Sequence, residues 1–441
     1  MDLSKLIVDD GVAGTFRIHR STMTSKEIMD LELKLLFEPS WLYVGHDSEV
    51  PRPGDYRRRT MLGRPLFMVH SRDGTIRVLI NSCLHRGALV CRTDEGNSDS
   101  FVCFYHGWSY DNCGKLIGIP DPEGYPEGFC DIERRLMSPP RVESYRGFYF
   151  VNFDPDALSL VDYLGDAREL MDLTIDSAEI LGGWKVIKGT AKFDIRANWK
   201  LLLENSVDNY HFHTVHKTFL DFMAGERKRS GLPRATINNI THSRGLAFKH
   251  GHVAMLTQAE GRTIACPLPT WSKEAIVAVM RIRDELVARY GKERGDSMAD
   301  YSRFLIVFPN LVFHDTQSGF KVRQWWPVAP DLMRVTQWEL VPRNEREDLA
   351  DYRLQGGATF QGPGGFGTPD DIEALESCQI GFRAPEVEWS DASRGTRRTP
   401  RSDDELTSRA FWREWHSRIQ GRGYAESTAD PAIPAQKRVI G

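Results

Sequence analysis

The sequence predicts an α+β protein in which a small all-β domain is followed by a larger domain of helices and an antiparallel sheet. Two observations carry this. From Trp41 to about Phe153, short β-rich runs alternate with turns built from Gly, Pro, Asn and Asp. Beyond about residue 155, longer β-rich runs are interspersed with segments of helical periodicity. The chain has 441 residues, enough for two or three domains with their own cores.

In chain order, Thr24-Ser25-Lys26-Glu27 fits a capping box, and Ile28, Leu31 and Leu35 follow at helical spacing. This predicts a helical lead-in over 1–40 that packs with the later, larger domain. The β domain is expected over 41–155, with strands at Leu66 to His70, Ile76 to Ile80, Phe101 to Phe104 and Gly147 to Phe153. The larger domain, 156–441, is expected to carry helices at Asp166 to Leu173, Lys273 to Tyr290 and Asp403 to Ile419. Its β-rich runs fall at Trp184 to Ile195, Ser302 to His314, Phe320 to Val328 and Met333 to Val341. Phe411, Trp412 and Trp415 are expected to pack the last helix on the body. His250 and His252 sit two apart on an expected strand and read as structural or exposed.

The formal net charge is -4 with both signs scattered, which argues against nucleic acid or a charged membrane and for a small-molecule partner. Neither a signal-like start nor an apolar run near the ~20 residues of a bilayer span is present, so a cytoplasmic protein is expected. Seven cysteines, five of them between 83 and 130, suggest metal ligation rather than disulfides in a reducing compartment.

Two stretches carry metal chemistry. Cys83-Leu84-His85-Arg86-Gly87 and Cys103-Phe104-Tyr105-His106-Gly107-Trp108 each offer one thiolate and one imidazole. Four such ligands suit a structural zinc, or a [2Fe–2S] cluster with cysteines on one iron and histidines on the other. The spacing departs from common zinc-finger patterns, and Phe104, Tyr105 and Trp108 would shield a redox centre, which favours the cluster. The second stretch is Glu204 to His216, where His211, His213 and His216 crowd together with Asp208. Two imidazoles and one carboxylate leave open positions on non-haem Fe(II). At about 100° per residue His211 and His216 do not share a helix face, so pairing them requires the helix to end or bend, for which β-branched Thr214 and Val215 are suited. Geometry alone leaves the ligand pair open.

The paired Cys/His loops resemble the Rieske motif, and Glu204 to His216 resembles the iron-binding segment of the large (α) subunit of aromatic-ring-hydroxylating Rieske non-haem iron oxygenases. The resemblance spans about residues 40 to 420. It implies that Cys83, His85, Cys103 and His106 hold the [2Fe–2S] cluster and that a helix-grip (START-like) catalytic domain holds one Fe(II) through His211, His216 and Asp371. Asp371 closes the run Gly362-Pro363-Gly364-Gly365-Phe366-Gly367-Thr368-Pro369-Asp370-Asp371, where Asp370 is free to cap a helix. Asp208 would then link His211 to His106 of a neighbouring subunit. Tyr210, Glu204 and Asn205 would stand behind the metal ligands.

The implied activity is cis-dihydroxylation of an aromatic ring with both atoms of O2. The implied electron source is NAD(P)H through a reductase or ferredoxin, and the implied assembly has a small β subunit (α3β3, or α3 without it). The overall likeness leans toward aromatic acids of benzoate, cumate, terephthalate or arylacetate type. Arg323, within Lys321-Val322-Arg323-Gln324, matches the carboxylate-binding arginine of the terephthalate type. Asn205, His213 and Phe308 join it as candidate substrate residues, and Phe304, Leu305 and Val307 either line the cavity or fill the core. Three alternatives are a monooxygenase of salicylate-hydroxylase type, a Rieske electron carrier, and a zinc-stabilised protein that binds apolar ligands.

Overall fold

A computed structural model describes residues 2–229, 243–258, 264–265, 267, 271–316 and 319–425. The chain divides into two compact units, 37–162 and 1–36 together with 163–441. The lead-in residues therefore belong to the larger unit, whose boundaries differ by a few residues from those drawn at 40 and 155.

The unit 37–162 contains three antiparallel sheets. A four-stranded sheet runs in the order Ile76–Ile80, Arg64–His70, Asp55–Met61, Glu95–Asn97. Leu66, Phe67, Met68 and Val69 are all buried, because that strand is covered on both faces. A three-stranded sheet orders Leu116–Gly118, Ser109–Asp111 and Ser100–Val102, and another orders Arg141–Tyr145, Phe148–Asn152 and Leu42–His46. Cys83 and Cys103 belong to the same buried cluster as Phe67, Leu79, Trp108 and Tyr110.

The larger unit is built on an eight-stranded antiparallel sheet. Seven strands follow in the order Trp184–Val186, Leu332–Pro342, Gly319–Ala329, Leu311–Thr316, Tyr301–Val307, Val253–Gln258 and Arg244–Ala247; Ala191–Ile195 also pairs with Leu332–Pro342. The run Trp184 to Ile195 is thus two strands, and Ser302 to His314 is a hairpin whose turn holds the cis Phe308-Pro309 bond. His250 lies in a 3-10 turn with φ 61° rather than on a strand, and both His250 and His252 hydrogen-bond the Tyr163 carbonyl. The helix Lys273–Tyr290 is capped by Ser272 and buries Ala275, Val279, Ile282 and Leu286 at helical spacing. In the lead-in, the helix Lys26–Glu32 is capped by Ser25 rather than Thr24. Among the described residues no helix is long and apolar enough to cross a membrane.

A buried polar knot secures the helix Trp199–Ser206, which leads into the histidine-rich stretch. Glu32 accepts from Lys200 Nζ at 2.6 Å, Trp415 Nε1 at 2.7 Å and Trp199 Nε1 at 2.8 Å. Both charged side chains are fully buried, so each depends on the other to offset its lost hydration. Phe411, Trp412 and Trp415 of the last helix, Leu406–Ile419, are 0 % exposed. Trp412 Nε1 and Ser408 Oγ both donate to Glu204 at 2.7 Å. Glu204 is therefore a buried tie between helices.

Candidate active site

The stretch 204–216 is not one helix. Trp199–Ser206 ends at Ser206, a non-helical link follows, a short helix spans Phe212–Val215, and His216 leaves helical geometry at ψ 27° before Lys217–Arg229 begins. This second break falls directly after Thr214 and Val215. It turns His211 and His216 toward one point, with ring centroids 5.3 Å apart.

Asp371 meets them there. Its Oδ1 lies 3.5 Å from His211 Nε2 and 3.3 Å from His216 Nε2. Among the described residues these three form the sole group with three donor atoms within 4.8 Å of one another. Asp371 rides on the helix Gly367–Gly381, which starts four residues ahead of the expected position because Pro369 sits in its first turn, where an N–H is not needed. Asn205 Nδ2 donates to Asp371 Oδ1 at 3.0 Å. Burial opposes the charge on Asp371, but His216, His211 and the Asn205 amide outweigh it and hold the carboxyl below its usual value.

Each imidazole also faces a second carboxylate. Asp208 Oδ2 lies 2.9 Å from His211 Nδ1, while Asp208 Oδ1 accepts from the Tyr210 amide at 2.6 Å. Asp370 Oδ2 lies 3.6 Å from His216 Nδ1. The Asp208 hydrogen bond fixes the His211 tautomer that leaves Nε2 free to bind an ion, whereas Asp370 is only a neighbouring charge to His216. Burial acts against protonation of His211, yet the hydrogen bond and charge of Asp208 prevail and raise its affinity for a proton.

The three donors open onto a cavity of about 480 Å³. Phe212, Phe219, Met223, Met255, Trp271 and Phe360 supply much of its apolar wall, a composition suited to an aromatic ring. Arg323 carries the only fixed positive charge among the described lining residues. Its Nε donates to Gln337 Oε1 at 2.8 Å, and its Nη2 donates to the Gln361 carbonyl at 3.1 Å and to Thr368 Oγ1 at 3.3 Å. Thr368 stands one helical turn before Asp371, which places the guanidinium beside the metal group. Among the described residues none accepts a hydrogen bond from Arg323 Nη1.

Other candidates are placed elsewhere. His213 is exposed on the outer side of its short helix and is absent from the lining. Phe308 is buried against Phe411 and Arg418 beyond the strand end, again away from the cavity. Strand alternation sends Phe304 and Ser302 into the cavity and Leu305 and Val307 into the core. Tyr210 is exposed under the Arg394 guanidinium. His314 and Gln361 line the cavity without having been singled out, since a lone strand histidine and a loop glutamine carry no spacing signal.

In the smaller unit, the two Cys/His loops repeat one backbone pattern. Gly87 N donates to Cys83 O at 2.8 Å and Gly107 N to Cys103 O at 2.9 Å, each glycine being left-handed at φ +77° and +73°. Rings of His85 and His106 lie 4.5 Å apart, and Trp108 stacks on His85. His85 Nδ1 is buried with no partner among the described residues, an orphaned ligand atom beside two buried thiols.

Two family models match the chain. Residues 40–142 match the Rieske [2Fe-2S] domain, and residues 181–421 match the ring hydroxylating alpha subunit catalytic domain. The chain belongs to the ring-hydroxylating alpha subunit family. It is 33% identical over 401 residues to the 2-halobenzoate 1,2-dioxygenase large subunit of Burkholderia cepacia, covering 89% of this chain and 83% of that one. It is 31% identical over 411 residues to the toluate 1,2-dioxygenase subunit alpha of Pseudomonas putida, covering 91% and 87%. A naphthalene 1,2-dioxygenase variant solved with phenanthrene superimposes with a TM-score of 0.79 at 26% identity over 97% of both chains. This alpha subunit is accordingly an oxidoreductase of the ring-hydroxylating dioxygenase family. Its cofactors are a [2Fe–2S] cluster and a non-haem iron, electrons in this family typically come from a reductase or ferredoxin, and its relatives are the large subunits of multicomponent enzymes.

Proposed function

We propose that this alpha subunit cis-dihydroxylates the ring of an aromatic acid, with His211, His216 and Asp371 holding the iron and Arg323 holding the substrate carboxylate. The observation that carries the reading is the unspent Nη1 of Arg323, buried in the cavity and tied through Thr368 to the helix that bears Asp371. Halobenzoate, toluate and anthranilate, named for three relatives, are acids of this kind. Cys83, His85, Cys103 and His106 would hold the cluster.

When bound, the iron supplies open coordination positions for O2 and the cluster delivers electrons one at a time. The balance is one ring, one O2, two electrons and two protons giving one dihydrodiol. This chain's residues do the rest. Asn205 orients Asp371 through Oδ1, and Asp208 holds His211 Nδ1. The apolar wall excludes water from the ring face, and Arg323 turns the carboxylate-bearing edge toward the metal group.

Asp208 also supports electron transfer between subunits. Its side chain is 32% exposed, so an imidazole of a neighbouring subunit, His106 in our reading, has access to it. An α3β3 assembly, or α3 without the small subunit, would present that imidazole. The test is turnover with reductase, ferredoxin and NADH on a panel of benzoates in ¹⁸O2. We expect products that gain two labelled oxygens and two hydrogens. Products with a single labelled oxygen would show a monooxygenase, and turnover of hydrocarbons but no acids would remove the role given to Arg323.

A further inference from the structure

We propose, on the reading of His216 as an iron ligand, that Asp370 is a positioning residue for that histidine. It accepts the Nδ1 proton of His216 and so selects the tautomer whose Nε2 can take up the iron.

The two ligand histidines are not supported alike. His211 Nδ1 meets Asp208 Oδ2 at 2.9 Å, which fixes its proton there, and its Nε2 faces the Asn205 amide nitrogen at 3.5 Å. His216 is left with a choice. Its Nε2 lies 3.3 Å from Asp371 Oδ1, and its Nδ1 lies 3.6 Å from Asp370 Oδ2. Consecutive residues of a helix diverge by about 100°, so the neighbouring aspartates reach the two different nitrogens of one ring. A neutral imidazole carries one N–H and one lone pair. A proton on Nε2 serves Asp371 but sets lone pairs against each other at Nδ1 and Asp370. A proton on Nδ1 serves Asp370 and leaves Nε2 the lone pair that a metal needs. Passing between the two forms moves one proton from one ring nitrogen to the other, with no net gain or loss.

The atoms needed for the second form are the ones the fold leaves unpaired. His216 Nδ1 and Asp370 Oδ2 are both buried, and neither has a hydrogen-bond partner among the described residues. Buried polar atoms are ordinarily paired, and here a donor site and an acceptor stand opposite each other. Asp370 has no competing duty as a cap. The helix Gly367–Gly381 starts from Phe366 without a side-chain cap, so the capping expected of Asp370 is not what holds it there. The His216 ring is fixed, being 3% exposed and walled by Phe212 and Phe360 at centroid distances of 5.6 and 5.2 Å. The Asp370 side chain is 34% exposed and free to swing. Closing 3.6 Å to a charge-assisted hydrogen bond of about 2.8 Å takes roughly 0.8 Å, within the reach of a side-chain rotation.

The experiment uses the full chain with its cluster in place. Iron affinity is measured by competition with a ferrous chelator, and the iron site is read by electron paramagnetic resonance of its nitrosyl adduct with the cluster oxidised. Asp370→Leu is expected to bind iron about 10- to 100-fold more weakly and to change the nitrosyl line shape. Cluster sulfide and the thermal midpoint of the iron-depleted protein are expected to stay at parent values. Asp370→Asn keeps an accepting oxygen without the charge, so its iron affinity is expected between those of the parent and Asp370→Leu. Unchanged iron affinity and line shape in Asp370→Leu overturn the proposal. A weaker affinity matched by a fallen midpoint in the iron-depleted protein also overturns it, since that marks a structural role alone. His216→Ala separates this proposal from the ligand reading beneath it. If His216→Ala keeps its iron, the ligand reading fails and takes the proposal with it; if His216→Ala loses iron while Asp370→Leu holds it as the parent does, only the role of Asp370 fails.

Discussion

Replacing Arg323 with glutamine removes the fixed cation from the cavity wall while keeping a polar side chain of similar reach. Two consequences follow from its contacts. Inside the protein, the bonds to Gln337, the Gln361 carbonyl and Thr368 are lost or reduced, a cost of about 0.5–1.5 kcal/mol for each neutral partner. Toward substrate, the two N–H groups of Nη1 no longer meet a carboxylate. Hydrogen bonds to charged groups contribute about 1.5–3 kcal/mol each, so the loss is roughly 3–4 kcal/mol after some compensation by the amide. At 1.4 kcal/mol per tenfold, benzoate affinity should fall by about 10²- to 10³-fold. Calorimetry on iron-loaded protein measures it, with iron content and thermal midpoint as controls for the structural share. Arg323→Lys distinguishes charge from fork geometry: a lysine keeps the charge but not the bidentate donor, so an intermediate loss is expected. Unaltered benzoate affinity in Arg323→Gln, with iron retained, would refute the assignment.

Asp208→Asn should keep both iron centres yet reduce coupled turnover by about 10- to 100-fold, since an amide has one acceptor oxygen and no charge where the carboxylate has two oxygens to hold His211 and meet a second imidazole; normal turnover with full iron and sulfide would sink the bridging role. Tyr110 OH lies 3.3 Å from Cys83 Sγ and accepts from the Leu84 amide; with Cys83 as a cluster-bound thiolate, the hydroxyl would be the donor of that pair. Tyr110→Phe should lower the cluster midpoint by roughly 40 mV, taking about 1 kcal/mol of differential hydrogen bonding and 59 mV per tenfold for one electron, and a redox titration with no shift would exclude it. Glu32→Gln or Lys200→Met should each destabilise the fold by about 3–5 kcal/mol, and the double replacement Glu32→Leu with Lys200→Met by less than the sum, as read by denaturant melts. Burial, with the charges of Glu204 and Asp208, raises the Glu405 carboxyl to about 7. The folded state therefore keeps a proton that the unfolded chain releases near its ordinary value, so this group's stabilisation is present at low pH and lost as pH rises through about 7. Glu405→Gln should flatten the stability profile between about pH 4 and 7, and an unchanged slope would count against it.

The metal chemistry was legible in the sequence because ligand sets are made of rare residue types at tight spacing. Cys83 with His85, Cys103 with His106, and Asp208 through His216 stand out against any structural background. The helix Lys273–Tyr290 was equally readable, since it buries one face at the helical period, and the strand Gly319–Ala329 was readable as a continuous run that is buried on both faces. Where the reading slipped, local signals were ambiguous. His250 looked like a strand residue until a left-handed turn placed it. Phe308 shares the apolar character of Phe304 but lies past the end of the strand, where alternation no longer applies.

By itself, the chain's order of residues determined which atoms can bind metal and which segments pair or coil, because those properties depend on neighbours a few positions away. Tertiary structure alone decided how His211, His216 and Asp371 share one point across 160 residues of chain. It also decided which of many buried polar groups face the cavity. Arg323, His314 and Gln361 come from two strands and a loop, and only folding brings them to the wall of one chamber. Contacts of that kind are set by sheet register and helix packing summed over the whole domain, which leave no periodic mark on any single stretch.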